Sequence, residues 1–118
     1  MLRERSEHFI DALSQKPSLT PLYKNRRFTV EIQDGYERVW IELADGKCRL
    51  LDTEPLEVDI TVSGDAQMIE TLMDGRERML LMDEEGRLEV DGTLRNLLAL
   101  ESLFVLTGDE ADSWHHRA

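Results

Sequence analysis

Two Asp-Gly pairs, Asp34-Gly35 and Asp45-Gly46, each separate runs in which apolar and polar residues alternate, and no other feature constrains this chain as strongly. Asp-Gly is a preferred pair for a two-residue type I′ hairpin turn, because both central residues need a positive φ. Taken as such a turn, the first pair sets Gln33 opposite Tyr36, Val30 opposite Val39 and Phe28 opposite Ile41, with Glu31 facing Arg38 on the other side. By the same rule the second pair sets Leu43 opposite Cys48, Ile41 opposite Leu50 and Glu42 opposite Arg49. Each turn then yields one apolar face and one cross-strand ion pair. The stretch reads as a three-stranded antiparallel meander.

Further elements follow from periodicity. Leu2 to Leu13 suits an amphipathic helix with Leu2, Phe9, Ile10 and Leu13 near one face, and Pro17 and Pro21 end it in an extended linker. Residues 58–62 and 87–91 alternate as a fourth and a fifth strand. Asp65 is placed to cap a helix from Ala66 to Met73, with Gly75 beyond its end. Residues 76–82 fit a helix or a strand. Thr93 caps a last helix, Leu94 to Leu106, stopped near Gly108. These elements predict an α+β fold: two layers, with a five-stranded, mostly antiparallel sheet covered by helices on one face. Trp40 departs from the pattern on the polar face, either under the first helix or exposed.

At 118 residues the chain reads as one domain, residues 1–118, with a helix and linker over 1–27 and a fraying tail over 109–118. Cys48 is the single cysteine, which excludes a disulfide framework within one chain. No run approaches the roughly 20 apolar residues of a membrane span, and no signal-peptide pattern opens the sequence. A soluble, cytoplasmic protein is expected. The net charge of −11 argues against nucleic acid as a partner, since phosphate contacts need Lys and Arg. Charge is uneven: residues 1–27 carry a net +3 and the rest −14. The edge of Lys24, Arg26 and Arg27 is either a basic arm on an acidic body or a surface for transient contact with an anionic membrane.

Nothing in the sequence has the form of an active site. The glycines are scattered rather than clustered around phosphate, no nucleophile elbow occurs, and His115-His116 lie in the tail without a third ligand at helical or strand spacing. The expectation is a protein that is not an enzyme and needs no cofactor or metal. Two features remain. Around the last helix, Leu94, Leu97, Leu98, Leu100, Leu103, Phe104, Val105 and Leu106 occupy most of the circumference, although a surface helix needs only a stripe of about 100°. Such a helix is central to the core, is a contact with a second copy, or borders an apolar guest. Glu101 sits inside this apolar arc, either paired with an arginine such as Arg76, Arg78 or Arg95 or facing a ligand headgroup. The other feature is methionine: beyond Met1, all of them (Met68, Met73, Met79 and Met82) fall within one short stretch. An adaptable pocket wall or an irregular core would both use them so.

In this order, Trp40-Ile41-Glu42-Leu43 with Asp45-Gly46-Lys47-Cys48, then Asp59 to Asp65, then Gly86 to Gly92 before the leucine-rich helix, the chain resembles the sterol carrier protein (sterol-binding, non-specific lipid-transfer) family. The resemblance implies an apolar tunnel between sheet and helices that holds a fatty acyl chain, an acyl-CoA or a sterol-like lipid, with no catalytic residues. Transferred to this chain, the tunnel wall would be Met68, Leu72, Met79, Met82, Leu97, Leu100 and Phe104 from the helices, Val39 and Ile41 from the sheet, and Glu101 as a polar anchor. The alternative is a protein-interaction or homodimerisation module that uses the apolar last helix and takes no small molecule.

Overall fold

The computed structural model describes residues 1–108; the tail 109–118, with its paired histidines, lies outside them. Helix α1 spans Leu2–Ser14, and Pro17–Leu22 forms a 3-10 turn. Then come β1 (Arg27–Gln33), β2 (Arg38–Ala44), β3 (Lys47–Leu50), β4 (Ile60–Ser63), α2 (Ala66–Met73), α3 (Met79–Glu84), β5 (Glu89–Asp91) and α4 (Leu94–Thr107). The five strands make one sheet in the order β3-β2-β1-β4-β5. Three of its pairings are antiparallel and one, β1 with β4, is parallel. The expected α+β architecture is therefore present, with a mixed sheet.

The second hairpin has the register expected of it: Leu43 faces Cys48, Glu42 faces Arg49 and Ile41 faces Leu50. Asp45 at φ 55° and Gly46 at φ 80° are the two left-handed residues of its turn. The first hairpin differs by two residues. Gln33 pairs with Arg38, Ile32 with Val39, Val30 with Ile41 and Phe28 with Leu43. Its turn is centred on Gly35-Tyr36, because the Asp34 carboxylate is nearly buried and accepts the backbone N–H groups of Tyr36 (2.9 Å) and Glu37 (2.8 Å). Asp34 thus precedes the turn instead of forming its centre. A two-residue slip leaves every side chain on its own face, so the apolar side survives the correction. The ion pair does not: Glu31 faces Trp40 and accepts the indole N–H at 2.9 Å.

The inward face carries Phe28, Val30, Ile32, Val39, Ile41, Leu43, Ile60 and Val62, all buried. Over it lie α1 and α4, whose Phe9 and Phe104 rings meet with centroids 5.0 Å apart. Helix α1 buries Leu2, Ser6, Phe9 and Leu13, the i, i+4, i+7, i+11 stripe of one helical face. The polar member, Ser6, returns its hydroxyl to the Leu2 carbonyl at 2.9 Å. The proline-containing linker is wound into a 3-10 turn rather than extended, since proline's fixed φ suits both. Strand β4 begins at Ile60, later than its alternation suggests, because Asp59 pairs with Thr29 partly through its side chain, which accepts the Thr29 N–H at 2.8 Å.

Residues 79–84 are helical. Both α2 and α3 end in the same way, with a glycine in the left-handed region: Gly75 at φ 73° and Gly86 at φ 77°. After α2, Arg76 N–H donates to Thr71 O and Gly75 N–H to Leu72 O; after α3, Arg87 N–H donates to Met82 O and Gly86 N–H to Asp83 O. This is the Schellman arrangement. Asp65 caps α2 by accepting Met68 N–H at 2.8 Å, and Thr93 caps α4 by accepting Asn96 N–H at 3.4 Å.

Candidate functional site: apolar interior and clefts beside α1

The ten residues assigned to a tunnel wall all reach the same interior. Val39, Ile41, Leu72, Met79, Met82, Leu97, Leu100 and Phe104 are buried in one hydrophobic cluster, and Met68 packs against its edge. Among the methionines, Met79 and Met82 have no exposed surface. They reach the core from α3, a helix of only six residues.

Glu101 is buried beside them, and its partner is neither an arginine nor open space. Its Oε2 accepts the Leu80 N–H at 2.9 Å. Leu80 is the second residue of α3, whose own N-cap, Arg78, supplies no side-chain acceptor. A carboxylate from α4 therefore satisfies a helix amide that the local sequence leaves open, and its charge favours the positive end of that helix. Across the two ends of α3, Arg87 forms a two-pronged bond to Glu77 (2.5 and 2.7 Å) and also binds Glu85. The Arg87 guanidinium holds the Glu77 carboxyl below the usual carboxylate range and is itself shifted upward by Glu77 and then Glu85.

The apolar side chains of the last helix divide between two environments. Inward, α4 presents Leu100, Leu103 and Phe104, which pack into the protein's own core. Its surplus apolar side chains turn the other way: Leu94 is 64% exposed, Leu98 46% and Leu106 41%. Periodicity counts apolar residues around a helix without telling which side faces water, and here three leucines do.

Two open clefts flank α1. One, of about 380 Å³, lies between the first half of α1, Asp34 and α2, and its lining includes Leu2 and Ile69 but also Glu4, Arg5 and Glu70. Arg5 is engaged there, at 3.3 Å from Glu70 and bonded to Asp74. The other, of about 470 Å³, separates α1 from the edge strand β3. Its apolar lining is Ile10, Cys48 and Leu50, each half-buried and packed on the core, and its rim carries Arg3, Glu7, Asp11, Ser14 and Arg49. Burial pushes the Cys48 thiol up to about 12, which marks this strand's inner side as apolar ground. Sequence reasoning placed Cys48 and Leu50 on the inner face but assigned them no binding role. Their place on an edge strand, which opens them to the cleft, follows from the strand order of the assembled sheet and has no signal in the sequence.

Among the described residues, no group of three or more His, Cys, Asp or Glu side chains is placed to hold a metal ion. No helix among them is long and apolar enough to cross a membrane.

A five-stranded mixed sheet with helices on one face and an apolar interior between them is the sterol carrier architecture. The sequence model of the SCP-2 sterol transfer family matches residues 6–105, and the chain belongs to that family. Solved structures agree on the fold. A sterol carrier protein 2 crystal structure superposes with a TM-score of 0.65 at 16% identity, covering 88% of this chain and 93% of its own. The apo form of sterol carrier protein 2 from Yarrowia lipolytica gives 0.59 at 17%, covering 87% and 88%. A ubiquinone synthesis protein, UbiJ-SCP2, gives 0.59 at 15%, covering 76% and 77%. A sequence search among curated proteins gives no match.

Proposed function

We propose that this protein is a non-catalytic carrier that binds an apolar, lipid-like molecule between its sheet and helices, in the cytoplasm. The observation that carries the reading is the family match over residues 6–105 together with an apolar interior between sheet and helices, which Ile10, Cys48 and Leu50 extend towards the surface beside β3. In the family fold, a guest entering here meets Leu50 and Ile41 on the sheet, then Phe9 and Phe104 beneath the helices. Displacing α1 sideways widens the path, since a cleft lies on either side of that helix. Burial of an acyl chain contributes about 0.8 kcal/mol per methylene before ordering costs. Affinity therefore needs no dedicated polar chemistry, and the charged rim suits a headgroup left in water. Ligands of this kind include fatty acyl chains, acyl-CoA and sterol-like molecules. A carrier of this kind also makes transient contact with the membrane that supplies its cargo.

The test is direct. Protein purified under native conditions is extracted and its lipids are identified by mass spectrometry, and delipidated protein is titrated with a fluorescent fatty acid. Retained lipid, or saturable binding weakened by Ile10→Glu, supports the carrier. Finding neither lipid nor binding overturns it. The second reading, a self-association module, is favoured by the leucines exposed on α4; light scattering at low concentration distinguishes it by mass.

A further inference from the structure

Among the described residues, every charged side chain that is buried is a carboxylate: Asp34, Asp74 and Glu101. No lysine, arginine or histidine among them is buried, so an anionic headgroup drawn into the apolar interior finds no counter-charge there. The opening between α1 and β3 continues the pattern. Its two arginines are already engaged: Arg3 lies 3.5 Å from Glu7 and 3.4 Å from Asp52, and Arg49 Nε donates to Glu42 at 2.8 Å. Asp11 lines the same opening, and its Oδ2 accepts only an amide N–H, that of Gln15 at 3.1 Å. Two guanidinium groups thus stand against four carboxylates, those of Glu7, Asp11, Glu42 and Asp52. On the floor, the Cys48 thiol is pushed up to about 12 by burial, so this ground disfavours a negative charge. Across α1, the other opening is lined by Glu4, Asp34 and Glu70 against Arg5 and the terminal ammonium, with His8 beside them. Arg5 is itself bonded to Asp74 and Glu70.

We propose that the protein selects its cargo by headgroup charge, taking lipids whose polar end carries no negative charge over fatty acid carboxylates and acyl-CoA. Long-chain alcohols are the simplest members of the favoured class. The inference rests on the carrier reading and narrows its cargo. Two effects act in the same direction. An alcohol donates a hydrogen bond to a rim carboxylate, whereas an ionised fatty acid has acceptors only. Rim charges within a Debye length of the headgroup, about 8–10 Å, repel an anion through a partly screened medium. Screening makes the preference several-fold rather than absolute. Glu7 and Asp11, on the face of α1 that borders the β3 opening, are the residues that set it.

The experiment is calorimetric titration of the delipidated full chain, at low salt and neutral pH, with dodecanol and with dodecanoate. The two share a chain length and differ in headgroup charge. Dodecanol is expected to bind more than about threefold tighter, and the gap to narrow as salt is added. Glu7→Gln with Asp11→Asn should shrink the ratio of the two affinities by more than about twofold. Glu89→Gln with Asp91→Asn removes the same charge from β5, at the opposite edge of the sheet, and should leave the ratio as it is. Because the ratio is taken within each variant, a general loss of stability does not imitate the effect. Dodecanoate binding as tightly as dodecanol, or tighter, overturns the inference and leaves the carrier reading standing. So does a ratio that moves as far for the β5 pair as for the α1 pair. Binding of neither compound removes the carrier reading, and this inference with it.

Discussion

A buried carboxylate in an otherwise apolar helix face invites a functional explanation, and Glu101 shows how a purely structural one can be better supported. It accepts one amide at the start of α3, where the preceding arginine provides no cap. Glu101→Leu should therefore loosen α3 more than α4, at a cost of about 0.5–2 kcal/mol, in line with the loss of a helix cap. Hydrogen exchange at Leu80 and its neighbours measures this; unchanged protection there would contradict the role. Glu37 serves the first helix in a similar way. Its carboxylate accepts Arg3 N–H at 3.1 Å and Leu2 N–H at 3.3 Å, with the terminal ammonium 3.4 Å away. The Arg3 amide, foremost, holds its carboxyl below the ordinary 4.5. A lowered folded-state value means that the stabilisation is present above that ordinary value and disappears as pH falls through the lowered one. Glu37→Gln should be less stable than wild type at neutral pH, and the gap should close in acid; a pH-independent gap would show that the charge is not what matters. For Cys48, a thiol raised from 9.0 to about 12 holds roughly a thousandfold less thiolate at a given pH. Alkylation at mildly alkaline pH should be slow in the native protein and fast in urea.

At the scale of elements, close backbone contact decides more than composition does. Where α4 ends, Gly108 runs against the turn after α2 so tightly that an added Cβ would stand 2.2 Å from the Asp74 carbonyl oxygen. Gly108→Ala should cost about 1–3 kcal/mol as the two segments are forced apart. A melting temperature equal to wild type would refute that. The elements were legible in the sequence where local chemistry is self-sufficient. Asp65 and Thr93 are side-chain caps, and α2 runs over Ala66–Met73 as the caps and the stripe indicate. The Asp45-Gly46 turn needs nothing beyond its own two residues. The first hairpin slipped because the pattern gives no hint that the Asp34 side chain will take up two amides itself. Residues 76–82 were ambiguous because so short a run is too little for periodicity, although Gly86, just past the observed helix Met79–Glu84, is a helix-ending signal of the kind used for α2.

For the whole molecule, sheet and helix layers were readable because each strand shows its faces openly; which surfaces stay empty was not. The surplus of leucine in α4 was visible, but its direction depends on how α1, α3 and the sheet close around the helix. Likewise, the cleft at β3 arises from strand order, since an edge position is a property of the assembled sheet. The carrier reading makes a global prediction. A ligand held only by the native state should raise the melting temperature, by an amount equivalent to about 2.7 kcal/mol when present at a hundred times its Kd. Differential scanning calorimetry with and without a saturating long-chain fatty acid checks it, and an unmoved transition would count against the interior as a binding place.

The parallel pairing of β1 with β4 carries a consequence for how the protein is made. Strand β1 is central, yet the strand that completes its second side begins only at Ile60, after β2, β3 and a crossing segment. A nascent chain that has released the meander alone has Val30 and Ile32 beside an unsatisfied ribbon of amides and carbonyls, the kind of border on which unrelated chains assemble. Fragments stopping short of residue 60 should accumulate as aggregates, whereas those extending through β4 gain the zipper that seals the middle of the sheet.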